Sequence, residues 1–247
     1  MSDRKKIHED LFPKRGHRMN IKELGDAFPE TQISAQLYDM GNHTVKIREI
    51  AQKINILMNS AKKSANVLVE ILRLRQALEL HKLETIFELA YDGVEEGNSI
   101  VVMLNFNESV DEIQRYFNDK GIEPCIIRGG QTPQERQENI DKFQSNQVKV
   151  MICNIKSGGV GISLHDTDGD HPRLCLISPS YSAQDIIQAV GRVWRAGGKS
   201  KSIQKIVYCA DTIEESICSK LSQKINTINI INEGTFSEIF DEFSSTF

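Results

Sequence analysis

From Asn98 onward, short β-branched runs alternate with stretches in which apolar residues recur at helical spacing. Candidate strands are Ser99–Leu104, Pro124–Ile127, Val148–Cys153, Arg173–Ile177 and Ile203–Cys209. Such β-rich runs are what a parallel sheet buries on both faces. Helical patterns fill the gaps at Ser109–Lys120, Pro133–Ser145, Ala183–Val193 and Thr212–Lys224, and Thr132-Pro133 supplies an N-cap and a first-turn proline. Strands alternating with helices of this length predict repeated βαβ units and a doubly wound parallel sheet.

The first 97 residues read differently. Val67, Ile71, Leu74 and Leu78 recur at helical spacing, and Leu83, Ile86, Phe87 and Ala90 continue it on a shifted face. Asp92-Gly93 and Glu96-Gly97-Asn98 end this region in turn chemistry. Residues 1–40, with Pro13, Gly16, Gly25 and Pro29, read as irregular and as leaning on something outside the chain. The expected division is an irregular and helical extension or linker over 1–81, an α/β domain over 82–228 and an acidic tail over 229–247.

Length agrees: 247 residues at ~150 per domain allow one full α/β lobe and a smaller appendage. Apolar runs such as Ile100–Leu104 fall far short of the ~20 residues a bilayer demands, so no membrane partner is expected. The start, Met1–Lys6, is no secretory signal. Five widely spaced cysteines with no Cys-x-x-Cys suit a reducing, intracellular compartment: cytoplasm, nucleus or, for a viral protein, the infected cell.

Thirty Lys and Arg against 34 Asp and Glu exclude a purely electrostatic nucleic-acid binder. The distribution says more. Residues 188–205 carry five cations and no acid, whereas 206–247 carry seven acids against Lys220 and Lys224. A local positive surface suits a phosphate-bearing partner, because potential decays over a Debye length of ~10 Å. A solvated helix face would look the same.

In a doubly wound sheet, ligands bind beyond the carboxyl ends of the strands. Two candidate strand ends carry unusual residues. One is followed by Asn154-Ile155-Lys156-Ser157-Gly158-Gly159-Val160-Gly161-Ile162-Ser163-Leu164, a loop whose glycines let backbone approach a phosphate closely. The other leads through Pro179 to a helix containing Gln188-Ala189-Val190-Gly191-Arg192-Val193-Trp194-Arg195. Arg192 and Arg195 lie three apart, so one helical face presents two guanidiniums to a polyanion such as a nucleotide γ-phosphate.

These residues resemble a known family. The 154–164 block resembles motif V of superfamily 2 helicases, and its Lys-small-Gly-Gly-x-Gly-Ile pattern is most similar to Swi/Snf-type translocases. The 188–195 block resembles motif VI, which carries the arginine fingers. Val102–Phe106 is similar to motif IV, and Ile127–Thr132 followed by Arg136 to the next element. Asp211–Glu215 with Lys224 resembles the helix after motif VI. The likeness spans about 82–228, with five elements in order.

The resemblance implies a RecA-like C-terminal lobe with a helical N-terminal extension, part of an ATP-dependent helicase or translocase on nucleic acid, DNA in preference to RNA. It implies Arg192 and Arg195 as fingers on ATP, with Gly161, Ser163, Gln188 and Gly191 lining the nucleotide cleft. Asn105, Phe106, Arg128, Gly129, Thr132, Asn154, Lys156 and Ser157 would grip the nucleic-acid backbone. The chain departs from the complete pattern in two ways. It has Ser163 where many members have Asp or Asn. It also lacks a Gly-x-x-x-x-Gly-Lys-[Ser/Thr] loop and a magnesium-binding acidic box, Gly198-Lys199-Ser200 being preceded five residues earlier by Val193. ATP and Mg²⁺ would therefore be held mainly by a first RecA-like lobe outside this sequence, and the chain alone should be inactive.

Two other classes compete. A detached lobe could hold nucleic acid or a protein and hydrolyse nothing, which leaves the paired arginines without a use. A dinucleotide enzyme would need a glycine fingerprint after a strand with an acid ~20 residues on, and none occurs. His165–His171 looks like a metal loop, but His171 stands where the calcium pattern needs glycine and Ile177 where it needs glutamate, so no metal site is expected. Trp194 could stack a base or be buried.

Overall fold

The computed structural model describes residues 29–60, 64–158, 161–180 and 182–209, together with Lys6, Glu9, Asp10, Thr212, Glu214 and Glu215. Strands form at β1 (Thr31–Tyr38), β2 (Ser99–Leu104), β3 (Cys125–Ile127), β4 (Val150–Asn154), β5 (Arg173–Ile177) and β6 (Ser202–Cys209). Helices form at α1 (Thr44–Asn59), α2 (Ala65–Leu80), α3 (Leu83–Glu95), α4 (Asn107–Asp119), α5 (Pro133–Gln144), the single turn α6 (Ile155–Gly158) and α7 (Ala183–Val193). The six strands make one sheet in the order β1-β6-β5-β2-β4-β3, every neighbouring pair parallel. This is the expected RecA-like, doubly wound α/β arrangement, with α1, α2 and α3 lying between β1 and the other strands in the chain.

Alternation along the strands divides the core. Val101 and Met103 of β2 face Ile186, Ala189, Val190 and Val193 of α7 and Phe143 of α5 in one cluster. Ile100, Val102 and Leu104 face the other way, joining Ile47, Ile50 and Ile54 of α1, Ile86 and Ala90 of α3, and Ile113 and Phe117 of α4. Period two along each strand thus feeds two apolar layers. Helix starts follow local chemistry: Thr132 and Glu135 form a reciprocal capping box with Pro133 in the first turn of α5.

Three expectations change. The irregular reading of residues 1–40 gives way over Thr31–Tyr38, which pairs with β6 along its whole length. Gln32, Ser34 and Gln36 alternate with Ile33, Ala35 and Leu37 there; at an edge, polar side chains are tolerated, and Ile33 alone is buried. Gly93 is no turn. It lies inside α3, where a Cβ would meet Leu174 Cδ2 at 2.6 Å and Ile100 Cδ1 at 2.8 Å, so glycine lets the helix sit down on β2 and β5. Gly97, at φ +90°, ends the helix as expected. Finally, α1 stands where no helix is expected, although Ile47, Ile50, Ala51 and Ile54 follow helical spacing and are all buried. Residues 31–81 therefore share one sheet and one core with the α/β domain. Apart from Thr212, Glu214 and Glu215, the helix expected over Thr212–Lys224 lies outside the described residues, as do Asp211, Ile213 and Lys224 of the family element, the acidic tail 229–247, Cys218, Gly159 and Val160.

Candidate functional site

Because every strand runs the same way, all their carboxyl ends meet at one edge. The candidate residues gather there in two groups.

The first group sits where β5 leads into α7. The segment after the glycine turn, Gly161–Leu164, is fixed from several sides. Arg192 Nη1 donates to Ile162 O (3.1 Å), Gln144 Nε2 to Ser163 O (2.8 Å) and Arg173 Nε to Leu164 O (3.0 Å). The Leu164 amide donates back to Arg192 O at 2.8 Å. Arg195 closes the set, giving Nη1 to Ser163 Oγ (2.9 Å) and Nε to Gly191 O (3.0 Å). Gly161 at φ +71° makes the turn that brings the segment back, a conformation only glycine adopts without strain. The two guanidiniums are neighbours. Burial, and then the charge of Arg195, push the Arg192 pKa down. Like charges held together in a half-dry place fit an anion with several oxygens. Gln188 stands half-buried on the same helix.

The second group lies at the ends of β2, β3 and β4. Glu79, buried at the end of α2, accepts from the Asn105 amide (3.0 Å), the Phe106 amide (3.2 Å) and Asn105 Nδ2 (2.6 Å). Asn105 Nδ2 also reaches Pro179 O at 3.0 Å. Asn154 gives Nδ2 to Asn107 Oδ1 (3.0 Å) and accepts from the Lys156 amide (3.1 Å). Arg128 pairs with Asp111, and Thr132 caps α5. Arg136 Nη2 holds Ser157 O at 2.7 Å, and a Cβ on Gly129 would stand 3.6 Å from Ser157 Oγ. Lys156 and Gly129 are exposed, Phe106 and Ser157 half-buried.

Hydrogen bonds thus join Arg192, Arg195, Ser163 and Gly191 in the first group, and tie Asn105 and Asn154 to their own neighbours in the second. Asn105 and Asn154 were expected on nucleic acid, and their amides are engaged within the protein. Sequence reasoning missed Glu79 and Arg173. Arg173 is 1% exposed, stacks 4.6 Å above the Phe143 ring, and has a pKa lowered to about 10, chiefly by burial and against the nearby Asp166. The signal was a charge inside an apolar run for Glu79 and at the head of one for Arg173. Trp194 is half-buried and donates to Pro29 O at 2.9 Å. In the 165–171 loop, Asp166 accepts the amides of Asp168, Gly169 and His171, organising a turn. Among the described residues no group of three His, Cys, Asp or Glu could hold a metal. Cys125, Cys153, Cys175 and Cys209 are buried free thiols, and burial pushes the Cys153 thiol up to about 12. No helix of the described residues is long and apolar enough to cross a membrane.

Residues 80–197 match the model of the helicase conserved C-terminal domain. Over 222 residues the chain is 36% identical to a protein assigned as an ATP-dependent RNA helicase in Acanthamoeba polyphaga mimivirus, covering 88% of this chain and 40% of that protein. It is 28% identical over 149 residues to a DNA repair and recombination protein of Saccharomyces cerevisiae, covering 60% of this chain and 15% of that one. The chain therefore spans well under half of these relatives. Its fold is similar to the C-terminal domain of a Sulfolobus solfataricus SWI2/SNF2 ATPase (TM-score 0.51, 19% identity, 86% of this chain and 92% of that one). It is also similar to the C-terminal part of the Fun30 ATPase domain (TM-score 0.55, 14% identity, 84% and 98%).

Proposed function

We propose that the chain, whose residues 80–197 match the helicase conserved C-terminal domain, is the second RecA-like lobe of a superfamily 2 ATP-dependent nucleic-acid translocase. The observation that carries the reading is the arginine pair at the sheet edge, each guanidinium aligned by the Gly161–Leu164 segment. Arg192 and Arg195 would act as fingers, adding positive charge to the γ-phosphate of an ATP presented by a first lobe across the cleft. Bound ATP supplies the transferable phosphoryl group and the free energy. Fingers of this kind are worth ~10³–10⁵ in rate in other phosphohydrolases. Gln188, Gly191, Ser163 and Gly161 would line the same cleft. Mg²⁺ is assigned to the first lobe.

Lys156, Gly129, Ser157, Thr132, Phe106 and Arg128 would meet the nucleic-acid backbone. Asn105 and Asn154 would act by positioning the loops that carry these contacts. The names of relatives point both ways on the polymer; the Swi/Snf-like pattern through 154–164 favours DNA. The domain's end at 228 and the intracellular setting belong to the same proposal; its start moves from 82 back to β1, which pairs with β6.

Reconstitution tests it. The chain alone should not hydrolyse ATP. Joined to a first lobe carrying the Walker motifs, it should gain ATPase activity stimulated by duplex DNA more than by RNA. Turnover by the pure chain that Arg192→Ala abolishes, or an assembly that ignores nucleic acid, would refute the reading.

A further inference from the structure

Helix α2 has too much apolar surface for its place. Ten of its sixteen residues are apolar, yet of these Leu78 alone is buried. Leu68, Val69 and Leu72 are 59%, 49% and 52% exposed, and they fall within an arc of about 100° on one side of the helix. Ile56, at the neighbouring end of α1, is 70% exposed. A helix apolar on more than one face is normally covered on each. The surroundings are cationic: residues 44–80 hold seven Lys and Arg against three Glu.

The complement stands in the chain's own last residues. Phe236, Ile239, Phe240 and Phe243 recur at i, i+3, i+4 and i+7, interleaved with Glu238, Asp241 and Glu242. No Lys or Arg follows Lys224, and Glu233 brings the acids to four. This is the pattern of an acidic amphipathic helix seeking an apolar, basic groove.

Tethering favours the meeting. The Lys82 Nζ–Glu214 Oε1 ion pair, 2.5 Å long and buried on both sides, holds the chain leaving β6 against the foot of α2. Glu214 also accepts the Cys209 amide at 3.2 Å. From Lys82 to Leu68 is fourteen residues, or ~21 Å at 1.5 Å per helical residue. Twenty residues separate Glu215 from Phe236, a length that would reach ~30 Å even if wholly helical and so covers that distance.

We propose that residues 236–243 dock in cis on the exposed face of α2 around Leu68, Val69 and Leu72, making this hairpin a binding surface for the acidic C-terminal segment. The surface lies apart from the arginine pair and does not depend on its role.

Hydrogen exchange on the full chain provides the test. Phe236→Asp with Phe240→Asp should speed exchange of amides 65–72 at least tenfold and leave β2 and β4 unchanged. A synthetic peptide of residues 231–247 added to that variant should restore the protection, and its binding should weaken severalfold between 0.05 and 0.5 M salt as charges are screened. A second variant, Leu68→Asp with Leu72→Asp, should abolish peptide binding. Identical exchange in wild type and the tail variant, with no binding of the peptide, overturns the proposal. Protection that rises with protein concentration overturns it in favour of a second copy on the same face.

Discussion

The two groups at the sheet edge use polar side chains in opposite ways. Around Arg192 and Arg195, cationic donors meet neutral oxygens: two carbonyls and a hydroxyl. Positive charge is aligned there without being cancelled by those bonds. Around Glu79, one buried carboxylate gathers three neutral N–H donors from Asn105 and Phe106. That bonding is closed upon itself. On our proposal the first arrangement serves a ligand, while the second holds a loop still. Residue type does not distinguish them.

Breaking the arginine group should give the largest effect. In a reconstituted two-lobe assembly, Arg192→Ala or Arg195→Ala should lower turnover at least ~10³-fold, some 4 kcal/mol, with nucleic-acid binding within about twofold of wild type. Lysine should not rescue, since a point charge cannot reproduce the planar fork. If Arg192→Lys together with Arg195→Lys kept full turnover, the pair would belong to the nucleic-acid surface.

The carboxylate group should show itself in stability. Glu79→Gln offers one acceptor oxygen for three donors and turns its own NH₂ towards them, so unfolding in urea should reveal a loss of ~1–3 kcal/mol. An unchanged midpoint would mean that the loop after β2 needs no anchor.

Lys156 sharpens the contrast from the second group, being exposed where its neighbours are engaged. Lys156→Ala should flatten the log–log salt dependence of DNA binding by about one phosphate's worth while basal turnover stays. A slope that does not move would remove it from the backbone contacts.

The smallest effect concerns His165, beside the arginine group. Burial, then Arg195 and Arg173, depress its pKa against the opposing pull of Asp166. A histidine with a lowered folded pKa binds fewer protons folded than unfolded, so its stabilising contribution is present above the unfolded pKa near 6.5 and lost below it. His165→Gln should shallow the fall in Tm between pH 7 and pH 5. An equally steep fall in the variant would assign the acid sensitivity elsewhere, His81 being shifted the same way.

Much of this was legible in the residues. Runs such as Ser99–Leu104 and Arg173–Ile177 have one physical use, the middle of a parallel sheet, and they form it at those bounds. The turn at Gly161 and the nearness of Arg192 to Arg195 were legible because backbone geometry and helical spacing, not distant partners, set them. Edge strand β1 was passed over although Ile33, Ala35 and Leu37 alternate with Gln32, Ser34 and Gln36, a period-two signal in which Ile33 alone is fully buried. The engagements of Asn105 and Asn154 were not legible: the partners lie 26 and 49 residues away, and only the strand order brings them together.

That strand order also sets a timetable. Thr31 pairs with Ser202, 171 residues later, and among the described residues β6 is the sole neighbour of β1 in the sheet. On a ribosome adding roughly 5–20 residues per second, β1 emerges roughly ten to thirty seconds before its partner exists. Throughout that interval it is an unclaimed strand, open to any passing edge. Contacts of such long range slow folding as well. The Gln and Ser on one face of β1 help keep it soluble while it waits.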